Sequence, residues 1–195
     1  MRYAGTRRLV TIRVAVILIS LLAVTLSLAA CSSPCAPTEN NIAQIKPAVS
    51  SITIGYENGS TIELTPRSDN FDAVCDEALR IALSIDKQCK CVADFQTVEQ
   101  LSQTNQEFVY VSFTQPVEIT TCLFIDDKGR EYITTNEDGY RVITSTEIVI
   151  LPQGTLPEIW AGCETSDTGT KCGMWGSGRS MDKLEAMIDD IGQFN

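Results

Sequence analysis

From Val14 to Ala30 the chain is apolar except for Ser20, Thr25 and Ser27; beyond that run its apolar positions thin out and become periodic. Ile52, Ile54 and Tyr56 alternate with polar residues, and the alternation resumes at Ile62 and Leu64 after Glu57-Asn58-Gly59. A period of two predicts a pair of strands. A two-residue Asn58-Gly59 loop would set Ile54 opposite Glu63 and send the apolar side chains to different faces. A three-residue loop, with Gly59 in the left-handed region, pairs Ile54 with Ile62 and Ile52 with Leu64. The second register is the expected one.

The period then changes. Phe71, Val74, Cys75, Ala78, Leu79, Ala82 and Ile85 fall at spacings of three and four, which predicts a helix of about 17 residues capped by Ser68 or Asp69. Thr97 and Gln100 have the spacing of a capping box, with Val98 and Leu101 as the buried pair of a short second helix. From Glu107 the pattern is β: Phe108 to Phe113, then Val117 to Ile119 after Pro116, which should bulge the pairing. Two turns, Asp127-Lys128-Gly129 and Glu137-Asp138-Gly139, read as three-residue loops place Leu123, Ile133 and Ile143 in one row and Phe124 opposite Tyr132. Glu147 to Leu151 and Glu158 to Ala161 read as further strands. Ser180 caps a last helix with Met181, Leu184, Met187, Ile188 and Ile191 on one face.

Without βαβ alternation, this order predicts an α+β fold. Its expected parts are a mainly antiparallel sheet (an N-terminal hairpin plus a later β-meander), one long helix after the hairpin and a C-terminal helix, all stapled by disulfides.

The residues around the first apolar run say where the chain goes. Arg2, Arg7, Arg8 and Arg13 precede it with no acidic residue among them, and it ends in Leu28-Ala29-Ala30-Cys31. This resembles a bacterial lipoprotein signal peptide and its lipobox: a branched residue, two small ones, and a cysteine whose thiol is diacylated before cleavage. The resemblance implies lipid on Cys31. An uncleaved transmembrane helix is the competing reading of the same run, and it leaves the domain on the same side of the membrane. Arg7-Arg8 also fits a twin-arginine signal, but the strongly apolar run and the cysteine-rich mature chain favour export before folding. Residues 1–30 are thus the expected signal peptide, 31–49 the lipidated cysteine and a flexible tether rich in Pro, Thr and Asn, and 50–195 a single extracytoplasmic domain. Ser32 is compatible with outer-membrane sorting, so the anchor belongs to a cell membrane or an outer membrane.

Removing residues 1–30 takes four of the fifteen basic residues and none of the twenty-five acidic ones, leaving a mature charge of −14. Such a surface suits neither nucleic acid nor an anionic bilayer. The domain's six cysteines, Cys75, Cys89, Cys91, Cys122, Cys163 and Cys172, suggest three disulfides in an oxidising compartment, with Cys35 left over. Cys163 and Cys172 bracket a turn-rich segment and form the expected pair; Cys89 and Cys91 are too close to bond each other without strain and should reach Cys75 and Cys122.

The chain has no histidine, which removes the commonest general base, His-dependent nucleophile pairs and the usual catalytic zinc ligands. Cys89-Lys90-Cys91, with a lysine between two thiols, is the most reactive-looking motif, though it lacks the spacing of a redox Cys-x-x-Cys. Asp126-Asp127, Glu137-Asp138 and Asp189-Asp190 lack calcium-loop spacing. Gly173 to Ser180 reads as a glycine-rich loop before a helix, where Gly176, Gly178 and Arg179 could receive an anion; Trp160 and Trp175 flank it as contacts for a partner or glycan. No catalytic residue, metal or cofactor is expected. The expectation is a non-enzymatic binding or structural/interaction domain held at a membrane through Cys31 with a protein or small-ligand partner, and the alternative is a thiol–disulfide protein acting through Cys89 and Cys91.

Overall fold

The computed structural model describes residues 39–94, 96–125, 134–153, 158–166 and 169–193, with backbone alone at 90–94, 163–166 and 169–170. Residues 1–38, which include the expected signal peptide, Cys31 and Cys35, lie outside the described residues. Among the described residues, no helix is long and apolar enough to cross a membrane.

The first hairpin forms in the expected register. Strand β1 (Val49–Gly55) pairs with β2 (Thr61–Leu64), placing Ile52 opposite Leu64 and Ile54 opposite Ile62. The loop closes by Tyr56 N–H donating to Ser60 O at 3.0 Å and Gly59 N–H to Tyr56 O at 2.9 Å, with Gly59 at φ +79°. The same two bonds recur at the later turn, Asn136 N–H to Tyr140 O and Gly139 N–H to Asn136 O, with Gly139 at φ +83°.

Helix α1 (Glu39–Ile45) and a 3-10 turn at Lys46–Ala48 precede the hairpin. Here the structure corrects the tether: Ile42, Ile45, Ala48 and Val49 are buried in the main core, so residues 39–49 belong to the folded domain. Helix α2 (Phe71–Ala82) is 12 residues long, shorter than expected. Asn70 stands at its N-cap without a side-chain bond, while Ser68 Oγ instead accepts the Thr65 N–H at 3.0 Å in the preceding turn. Ile85, read as its last apolar position, opens strand β3 (Ile85–Asp94). Helix α3 (Val98–Ser102) has the expected capping box, with the Thr97 and Gln100 side chains each bonded to the other's backbone N–H.

Strand β4 (Phe108–Phe124) runs 17 residues and carries its register shift at Pro116, between Ser112 and Val117. It pairs directly with β5 (Tyr140–Leu151), setting Ile119 opposite Ile143 and Phe124 opposite Tyr140. The expected meander, with a strand at Ile133 between them, is thereby corrected; Tyr132 and Ile133 lie outside the described residues. Strands β6 (Glu158–Ser166) and β7 (Gly169–Ser177) follow, and then helix α4 (Asp182–Gln193), whose Asp182 N–H is capped by Ser180 Oγ at 3.1 Å.

The expected fold class also needs correction as a whole. The described strands join one seven-stranded sheet in the order β2-β1-β4-β5-β6-β7-β3, every neighbouring pair antiparallel, in place of the expected N-terminal hairpin plus later β-meander. Among the described residues, four short helices dress it. Helices α1, α2 and α4 cover one face over Ile52, Ile54, Val111, Ile119, Ile148, Ile150 and Trp175; on the other face Leu101 of α3 packs with Phe108, Val149, Leu151 and Trp160. The three-disulfide staple is corrected too: Cys75 and Cys89 are thiols, and no bond joins two described cysteines. Cys122 and Cys172 are each disulfide-bonded, while the side chains of Cys91 and Cys163 are not among those described.

Candidate functional site

Polar chemistry concentrates where α2, α4 and α1 meet. Glu77 lies on the apolar side of α2, one turn from Val74 and Ile81, and is only 1% exposed. A lone buried carboxylate is costly. This one is satisfied by three cations: Arg80 Nη1 at 2.8 Å, Lys183 Nζ at 2.8 Å and Arg179 Nη2 at 3.4 Å. Arg80 turns its other nitrogen to Glu39 of α1 at 3.1 Å. One acid therefore ties three helices together. Burial by itself would raise the Glu77 pKa, but the hydrogen bonds from Lys183 and Arg80 and the charges of Lys183 and Arg179 outweigh it and hold the carboxyl below its ordinary range. An acid kept ionised in this way is no proton donor near neutral pH.

The turn from β7 into α4 delivers Arg179. Ser177 Oγ lies 2.7 Å from Ser84 Oγ, donates to Ser84 O at 3.1 Å and accepts the Arg179 N–H at 3.0 Å, so the turn is pinned to the α2–β3 corner. Gly178 N–H donates to Asp86 Oδ1 at 3.1 Å, and a Cβ at Gly178 would stand 2.7 Å from Asp86 Oδ2. A side chain at this position would have to push the Asp86 carboxylate aside. The segment expected to be a glycine-rich loop is thus mostly strand: Gly173 to Ser177 belong to β7, and Gly176 lies against Lys87 of β3.

Of the residues singled out as ligand contacts, Arg179 and Gly178 join this cluster, whereas Gly176 and the tryptophans do not. Trp175 is 4% exposed; its indole N–H donates to Ala161 O at 3.2 Å and its ring lies 4.6 Å beneath the Arg141 guanidinium. Trp160 is buried on the opposite face, with its indole N–H toward Glu158 Oε2 at 3.4 Å. Cys89 sits half-buried on β3, an edge strand of the sheet. Cys75 is wholly buried, and burial pushes its thiol up to about 12.

The chain matches no family model, no curated protein and no solved structure. Among the described residues no group of three or more Cys, Asp or Glu side chains is placed to hold a metal ion. A groove of about 250 Å³ between α2 and α4, lined by Val74, Met187 and Ile191 with Asn70 and Asp190 at its rim, is mainly apolar. Glu77, Arg80 and Lys183 were not singled out by the sequence. The available signal was a glutamate on the apolar side of an amphipathic helix, with an arginine three residues on.

Proposed function

We propose that this protein is a membrane-anchored extracytoplasmic lipoprotein whose single domain binds a partner or serves a structural role without catalysing a reaction. The observation that carries the reading is Leu28-Ala29-Ala30-Cys31 at the end of an apolar run behind four arginines. The fold is consistent with it: the charged cluster around Glu77 is spent on joining helices, and Arg179 and Lys183 keep part of their side chains at the surface for a contact. Expressing the full chain and its Cys31→Ser variant in a bacterium and fractionating the cells tests the anchor. The parent should stay with the membranes and the variant should not. Hydrolase or transferase activity abolished by replacing one carboxylate would overturn the non-enzymatic part.

Thiol–disulfide exchange through Cys89 and Cys91 is the second reading, favoured by the half-exposed position of Cys89 on an edge strand beside Lys90. Thiol titration of the native protein after mild reduction should then find two reactive thiols with the fold intact; reaction only after denaturation removes it.

A further inference from the structure

Helix α4 carries negative charge toward the end where a helix tolerates it least. Asp189 and Asp190 stand close to its C-terminus, whose carbonyl groups already bear partial negative charge, and its last turn holds no basic residue. Glu185 and Asp189 lie one turn apart on one side of the helix, a like-charge pair. Lys183, the only base on α4, is held by Glu77 at 2.8 Å near the opposite end.

The surface that this half of α4 meets is acidic too. Gly55 of β1 pairs with Phe108 of β4, so the next positions outward, Tyr56 and Glu107, adjoin at the end of the strand pair, with Glu57 following Tyr56. Tyr56 reaches the helix: its hydroxyl donates to Ile188 O at 3.3 Å, and a Cβ on Gly192 would stand 2.8 Å from its ring. The charges acting on Glu107 are Asp189 and Glu185 of α4 and Glu57 of the hairpin loop, all negative, while the neutral Gln153 beyond β5 donates to its Oε2 at 2.7 Å.

Two opposed forces therefore act across one seam. Leu184, Ile188 and Ile191 hold α4 down by burying apolar surface in the main core. Glu57, Glu107, Glu185 and Asp189 push it away. Burial first, and then these three neighbours, hold Glu107 above the ordinary glutamate range. The docked helix thus favours the protonated form, and docking weakens as pH rises from the ordinary glutamate value through the raised one. We propose that the C-terminal half of α4 is an acid-tightened latch, closed firmly on the end of the β1–β4 pair when Glu107 is protonated and opening more often once Glu107 is ionised. Met187, Asp190 and Ile191 of the same half-helix wall the groove against α2, so the shape of that groove follows the latch.

Hydrogen exchange of the full chain, read by mass spectrometry on peptides from α4 (residues 186–193) and α2 (residues 72–82), tests this. The comparison is between about pH 7 and about pH 4.5, close to the ordinary glutamate value. Corrected for intrinsic exchange rates, protection of the α4 peptide should be about threefold higher at the acid pH, the factor that two like-charge contacts supply, with α2 changing less. Glu107→Gln should already be protected at neutral pH and gain little on acidification. Equal α4 protection at the two pH values in the parent, a gain shared equally by α2, or the parent's full pH dependence in Glu107→Gln would overturn the latch.

Discussion

At the residue scale the tightest constraint is at Gly55. It stands opposite Phe108 across the β1–β4 pair, and a Cβ there would lie 1.9 Å from the ring of a side chain that is completely buried. Neither partner can move without disturbing the core between them. Gly55→Ala should therefore cost about 1–3 kcal/mol in chemical denaturation, the range for overpacking a well-filled core. Gly173 does the same service for Trp175, since a Cβ would come within 2.9 Å of the indole. Cys75 gives a second expectation at this scale. Its buried thiol, raised to about 12, should be inert to a thiol reagent at about pH 8 in the folded protein and react fully once guanidinium unfolds it. Labelling of Cys75 in the native state would show that α2 opens, or packs differently from the arrangement described.

At the element scale, what could be read from the sequence was whatever local chemistry decides. The register of the first hairpin follows from Gly59 and the apolar alternation, the α3 capping box from Thr97 and Gln100, and α4 from Ser180 and a regular apolar stripe. Elements whose identity depends on distant partners were illegible. Strand β3, Ile-Asp-Lys-Gln-Cys-Lys-Cys-Val-Ala-Asp, has no clean alternation because it is an edge strand with Asp86, Lys87 and Gln88 in solvent. The segment from Gly173 reads as a loop because glycine normally marks one, yet here Gly173 makes room for Trp175 and Gly178 lets the backbone approach Asp86. Helix α1 offers only Ile42 and Ile45, too few positions to show a period, amid residues typical of linkers. The Glu77 cluster was hidden for the same reason, since its members lie on three helices and the turn before α4. Ile42 is the position that separates the two descriptions of this segment: it is 2% exposed, so Ile42→Ala should lower stability by about 2–5 kcal/mol. In a tether the same change would cost nothing measurable.

For the whole molecule, two glutamates pull the pH dependence of stability in opposite directions. Glu77 is held below its ordinary value by its cations despite burial, so its ion pairs contribute fully at neutral pH and are lost as pH falls through the lowered pKa. Burial first, and then the charges of Asp189, Glu57 and Glu185, raise Glu107 against the opposing bond from Gln153, so its ionisation costs stability as pH rises from the ordinary glutamate value through the raised one. Glu107→Gln keeps an acceptor for Gln153 and removes the charge. It should melt higher than the parent at about pH 7, with the difference fading by about pH 4, where both forms are neutral. Glu77→Gln should melt lower at neutral pH and show a shallower acid limb. Parallel pH profiles for either variant and the parent would contradict the assigned environments.

The proposed export and anchoring through Cys31 is a claim about the whole molecule too. The most direct test is the intact mass of the protein purified from bacterial membranes, with fragmentation of its first residues. The account predicts a chain that begins at Cys31 and carries a diacylglyceryl group there. A chain that retains residues 1–30, or one that begins elsewhere with Cys31 unmodified, would contradict it.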